Sequence, residues 1–313
     1  FTIFQIYSLS HVNKNISFSE NMYRNYMKTF SGELTAEKEK RITEEQERFE
    51  KASLAIANIE EKVQKGEISR EEAVQYKEPY QEVLNTEDIF LRIMKQYEHI
   101  KENPKAEFVY DTGYKQLLRM NKNAFLESDI YLIIMAEIVF SAIFVMEYKN
   151  GMNKILNTTP KGKDITTKAK IGVCFITSMI IFAISIIPEI IEIGQIYGFD
   201  NITASITSIP NFSNLYSGIS IVGFIILNYL TRFIMFISIV LFILWISLKL
   251  KNTTYTILVA SSILLIPMLS AQIGIKFLNV LSINKILNLS KIILMDGKLK
   301  WLYIIIPIMV RYL

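Results

Sequence analysis

A chain of 313 residues that is 51% apolar and still 20% charged is too apolar for one soluble domain and too charged to be membrane spans throughout. The charge is unevenly placed, with 19 Lys and Arg against 22 Asp and Glu up to Glu127, then 15 against 8 beyond it, or −3 followed by +7. That split is a membrane-topology signal and lacks the basic soluble face of a nucleic-acid binder, so nucleic acid is not among the expected partners. The single Cys174 excludes a disulfide or cysteine metal framework within the chain.

Residues 1–8 read as the last turns of an apolar helix, the end of a clipped first span. Residues 9–128 then predict a helical insertion. A helix from Thr35 to Lys65 places Ile42, Phe49, Ala52, Ile56, Ile59 and Val63 at coiled-coil spacing. Lys65-Gly66-Glu67-Ile68 breaks it, and Ser69-Arg70-Glu71-Glu72 supplies a capping box for a second helix carrying Ala73, Tyr76, Tyr80 and Val83. The two predict an antiparallel hairpin. A third helix is expected from a cap at Thr86, carrying Ile89, Phe90, Ile93, Met94 and Tyr97, and Asn103-Pro104 ends it. Asp111-Thr112-Gly113-Tyr114 reads as a turn leading back to the membrane. His11 and His99 have no companions at ligand spacing, so no metal site is expected.

Residues 129–313 predict the transmembrane domain, with spans near 129–147, 171–193, 218–248 and 255–273 and an incomplete one at 300–313. Between the first two runs lie six lysines against Glu147 and Asp164, and a short basic loop of this kind stays cytoplasmic. The 194–217 loop has no Lys or Arg and is expected on the opposite side, which makes residues 9–128 extracytoplasmic. The five lysines between 274 and 300 fall on that same side against the rule, and their short apolar stretches suggest helices lying at the outer interface. The fold expected is therefore all-α, a polytopic membrane bundle with an extracytoplasmic helical-hairpin domain.

Catalytic chemistry is not expected. The chain carries no phosphate loop of the Gly-x-x-x-x-Gly-Lys-Ser/Thr kind, no nucleophile elbow and no His-Glu-x-x-His. Charges inside apolar runs are costly in lipid and face the bundle interior, a partner or water. With Lys170 and Lys249 marking one membrane boundary, Glu189 lies roughly 28 Å and Arg232 roughly 26 Å along their helices, at 1.5 Å per residue. Arg232 is thus expected to pair with Glu189 or with Glu192, one turn on. Glu137, at roughly 15 Å by the same measure, is left to a cargo path, a wet cavity or a subunit interface.

A span ending in Glu147-x-Lys149-x-Gly151, then Leu156-x-Thr158-Thr159, Lys161-Gly162-Lys163 and the Lys168/Lys170 pair, resembles the permeases of the type-2 ABC exporter class. More narrowly it is similar to those of Ile-, Lys- and Asn-rich Gram-positive bacteria with a large extracytoplasmic domain between their first two spans; Asp111-Thr112-Gly113-Tyr114 fits that subgroup. The resemblance implies a multi-pass permease of the bacterial plasma membrane, in contact with membrane lipid. It also implies a cytoplasmic coupling helix over about 148–163 docked on a separate ABC ATPase subunit, and a second permease copy or a homologous permease. Carried over by position, Glu147 and Gly151 open that helix, Lys163 closes it and Lys170 starts the next span. The patterning of 150–159 itself reads as a short polar helix with Met152, Ile155 and Leu156 available to one side for coupling. ATP would bind the partner, with no cofactor in this chain, and the cargo would be a peptide or other amphiphile. The alternative is a non-transporting membrane sensor whose extracytoplasmic hairpin binds a ligand and signals through the cytoplasmic loop.

Overall fold

The structure, a computed structural model, describes residues 17–120, 126–158, 161–213, 215, 218–272 and 287–288. The expected spans at 1–8 and 300–313, the interfacial stretch before the latter apart from Leu287 and Asn288, and His11 lie outside the described residues. Those that are described form helices, turns and two isolated β-bridges. They fall into two compact units, one of Asn13–Asp111 with Phe199–Phe224, the other of Thr112–Gly198 with the chain from Ile225.

The first unit opens with α1 (Phe18–Phe30), whose cap Ser17 accepts from the Glu20 amide at 3.2 Å. Tyr23, Met27 and Phe30, spaced four and three, are its buried face. This helix has no counterpart among the expected elements. Next comes α2 (Ala36–Gln64), then α3 (Arg70–Leu84), which pack side by side as the hairpin. In the capping box the Ser69 hydroxyl accepts from the Glu72 amide and the Glu72 carboxylate accepts from the Ser69 amide. Those bonds to Ser69 hold the Glu72 carboxyl below the usual carboxylate range. The seam is buried at Ile42, Phe49 and Ala52 but only half-buried at Ile56, Ile59 and Val63, and Tyr76 and Tyr80 of α3 are exposed. A Lys77–Glu60 ion pair of 2.7 Å bridges the two helices.

Helix α4 (Glu87–Glu102) buries Ile89, Phe90 and Ile93, and the Phe90 ring stacks on Phe49 at 5.0 Å between centroids. Thr86 precedes it without capping it, because its hydroxyl donates backward to the Val83 carbonyl at 2.8 Å. Burial, helped by nearby Asp111, pushes the Tyr23 phenol up. Tyr23 therefore stays neutral, donating to Asp111 and accepting from Gln96 at 2.8 Å, while Arg92 lies 3.6 Å over its ring. The 199–224 segment belongs to this unit through polar bonds. The His99 ring meets the Thr207 carbonyl at 2.6 Å, the Glu107 amide donates to Ser208 Oγ at 3.0 Å, and Asn201 donates to Ser31 Oγ at 2.7 Å. His99 is thus a buried structural histidine.

The second unit begins with α5 (Thr112–Leu117), a short helix where the sequence suggested a turn. Gly113 is needed there for close approach, since a Cβ would fall 2.7 Å from the Tyr197 Cβ. There follow α6 (Leu126–Phe140), α7 (Ala142–Lys149), α8 (Met152–Thr158), α9 (Gly162–Tyr197), α10 (Ile221–Leu250) and α11 (Thr253–Gln272). Three stretches are long and apolar enough to cross a membrane: Ser128–Lys149, Asp164–Tyr197 and Ile221–Leu250. A shorter apolar helix covers Thr253–Pro267. Their common core joins Leu132, Ala136 and Phe140 of α6 to Phe236, Val240 and Ile243 of α10, with Cys174 and Ala260 against them. Cys174 is a small buried core residue.

The Phe49–Phe90 stack is an apolar tie between the hairpin and α4, which yields a local prediction. Phe49→Ala should cost about 3 kcal/mol, raising amide hydrogen exchange across Ala36–Leu84 about 100-fold. Leu54→Ala, at a side chain 65% exposed, should leave exchange unchanged. Equal effects of the two would refute the packing.

Candidate functional site

Two places in the second unit gather the charged residues of the spans. At one end, Arg119 and Arg232 meet Asp129 and Glu189, all four no more than 1% exposed. Arg119 follows α5 in the left-handed region, with φ 55°. From there its guanidinium forks onto Glu189, Nε to Oε1 at 3.3 Å and Nη2 to Oε2 at 2.5 Å. It also donates to Asp129 Oδ1 at 2.7 Å and to Ser128 Oγ at 3.0 Å. Asp129 and Ser128 sit in the first turn of α6, and Glu189 follows Pro188 in α9.

From α10, Arg232 reaches the same Asp129 oxygen through Nη2 at 2.5 Å, with its Nη1 at 4.0 Å from Glu189 Oε2. Two cations and two anions sum to zero, which is what burial in an apolar bundle demands. The depth argument thus brings Arg232 near Glu189, but its closer partner is Asp129. Glu192 is half-exposed and makes no ion pair among the described residues. Sequence reasoning missed Arg119 and Asp129 because both lie at the edge of an apolar run, where flanking charges are ordinary. Every carboxylate of the cluster, and the Ser128 hydroxyl, is engaged by a guanidinium. What the arrangement does is hold α6, α9 and α10 against one another through charge.

At the other end of the same spans lies the basic loop. Glu147, near the end of α7, meets Lys170 of α9 at 2.6 Å, and Lys170 also donates to the Ile143 carbonyl at 2.8 Å. Helix α8 is shorter than the 148–163 expected. Helix α7 continues to Lys149, Gly151 turns with φ +67°, and Lys161 turns with φ 62° before α9 begins at Gly162. Nothing in 162–170 breaks a helix, so Lys163 lies in the first turn of α9 and Lys170 two turns further on. Met152 and Ile155 are exposed, at 49% and 63%, and Leu156 is half-buried. Gly151 has open space around its Cα, so what it supplies is the backbone conformation.

Glu137 belongs to neither place. It turns inward, 2% exposed, and accepts a hydrogen bond from Ser261 of α11, so it is not on an outward subunit face. Among the described residues no cluster of His, Cys, Asp and Glu could hold a metal ion.

The cluster predicts a particular pattern of loss and rescue. Asp129→Asn leaves two buried arginines on one carboxylate and should cost about 3–5 kcal/mol. Adding Arg232→Gln restores neutrality around the intact Arg119–Glu189 fork, so the double variant should recover most of that loss in thermal unfolding of the detergent-solubilised chain. Additive losses would show that the two side chains are not coupled.

No protein-family model, curated protein or solved structure matches the chain.

Proposed function

We propose that the chain is the membrane-spanning permease subunit of an ATP-binding-cassette exporter in a bacterial plasma membrane. It carries a peptide or amphiphilic cargo outward, and ATP is hydrolysed on a separate subunit. The observation that carries this reading is α8, a short helix between two sharp turns, joining two helices long enough to cross a membrane. A plain connector has no need to expose Met152 and Ile155 or to be bracketed by left-handed turns. Six lysines in this loop against two acids put it on the cytoplasmic side in this reading, where an ATPase would lie.

The mechanism follows from how α8 is tied down. It packs on both α7 and α9, and the Glu147–Lys170 pair joins those helices beside it. An ATPase closing on ATP would push α8, and the two spans would move with it as one body. A second permease, identical or homologous, would supply the other half of the path. The first unit, placed outside, would receive the cargo.

An affinity-tagged full-length chain, expressed in its own host and reconstituted with what co-purifies, tests this. A protein with a phosphate-binding Gly-x-x-x-x-Gly-Lys-Ser/Thr loop should accompany it, and Ile155→Asp should reduce its recovery at least tenfold with membrane insertion unchanged. Gly151→Val, which strains the left-handed turn by about 1–2 kcal/mol, should uncouple ATP hydrolysis from export. Recovery of no such ATPase from either chain would overturn the export reading.

A further inference from the structure

We propose that Glu137, with Ser141 and Ser261, is a proton-binding site inside the membrane unit, a role the export reading does not require. Three observations converge there. The first is the state of the carboxyl group. Glu137 is 2% exposed; one oxygen takes the Ser261 hydroxyl, and the other, Oε1, is buried with no hydrogen-bond partner.

The second is Ser141, one helical turn further on and therefore on the same face. It is fully buried and its Oγ also has no partner. The third is the backbone. The span stays helical through Ser141, whose amide donates to the Glu137 carbonyl at 3.1 Å, and the Ser141 carbonyl also accepts the Ser247 hydroxyl of α10 at 2.8 Å. A buried carboxyl group beside orphaned hydroxyl oxygen inside a span is expensive in lipid and marks a functional site for a small cation.

Among the described residues, the neighbouring elements supply no counter-charge. Helix α11, which packs on α6, has no Asp, Glu, Lys or Arg; Tyr255 is its one titratable side chain, at the first turn. On α6 the nearest other acid with a described side chain is Asp129, eight residues or about 12 Å along the axis. It is already shared by Arg119 and Arg232, the latter from α10. Glu147 of α7 is ten residues or about 15 Å the other way and is held by Lys170 of α9.

Lys149 of α7 and Lys249 of α10 are exposed beyond that end, while Glu189 and Glu192 lie near the far end of α9. Tyr131 of α6 and Tyr229 of α10 carry no compensating positive charge, and neither does Cys174 in the core. The charge cluster and the Glu147–Lys170 pair each sum to zero, so neither offsets an ionised Glu137. Burying an unpaired carboxylate costs far more than burying the neutral acid.

One carboxyl group with hydroxyl neighbours suits a proton. Binding forms an O–H bond on a Glu137 oxygen as hydronium gives up its proton to become water; release reverses it. The added hydrogen turns one acceptor into a donor, which the orphaned Ser141 oxygen can use directly or through one water. The bond to Ser261 makes the site depend on α11 staying against α6. If the two part and water enters, the carboxyl group loses its proton.

A hydrophobic carbodiimide, which reacts with protonated carboxyls in apolar surroundings, tests the site on the purified full-length chain in detergent. Mass spectrometry should find Glu137 labelled at neutral pH and progressively less labelled as pH rises. Glu137→Gln should remove both the label and one protonated-carboxyl infrared band, and Ser261→Ala should move the pH at which labelling is half lost. An unlabelled Glu137 with no infrared band lost in the variant would overturn the proposal. Protection by sodium but not choline at constant pH would reassign the site to sodium and also overturn it. Neither readout needs a partner ATPase, so failure here and failure of the export reading are separable.

Discussion

Arg119, Asp129, Glu189 and Arg232, shut away from solvent, tie three helices of the membrane unit to one another. Each charge alone would cost several kcal/mol to bury. Held within 2.5–4.0 Å of one another, they leave a neutral group whose members cannot be separated cheaply. Such a cluster contributes less to net stability than apolar packing of the same volume would. What it supplies is a single answer to how the start of α6, the far end of α9 and the first half of α10 fit together. The dispersive contacts of Leu132, Phe140, Phe236 and Val240 then fill a register that the charges have set.

The same spans are tied at their other end by Glu147 and Lys170. Asp129 and Glu147 are eighteen residues apart, about 27 Å of helix, close to the hydrocarbon thickness. Polar fastenings at both ends with an apolar middle make α6, α7 and α9 a stiff unit. On the export reading this stiffness is useful, because a push on α8 reaches the four-charge cluster instead of being absorbed midway. Midway, the Ser141 carbonyl accepts the Ser247 hydroxyl and ties this span to α10.

Legibility in the sequence followed the range of the interactions. Three of the expected spans were legible because apolar length in lipid is a local property, and the hairpin because heptad spacing and a capping box are. Ser69 and Glu72 are placed as their spacing implies. The Thr86 cap failed on a local competition, since its hydroxyl finds the Val83 carbonyl first. Helix α1 was missed because Tyr23, Met27 and Phe30 give too thin an apolar stripe among polar neighbours. No local pattern could attach residues 199–224 to the first unit, since bonds such as His99 to Thr207 join residues 108 apart. Depth along a helix brought Arg232 near Glu189. It could not find Arg119, whose distance along any span is undefined because it lies outside one.

A high-resolution structure of the chain in lipid nanodiscs tests the central claim most directly, through the position of the two guanidinium groups. The account predicts Arg119 and Arg232 both within hydrogen-bond distance of the Asp129 carboxylate, with Arg119 forked onto Glu189 and bulk water excluded. Either arginine turned toward lipid headgroups or open water, with Asp129 and Glu189 apart, would contradict it.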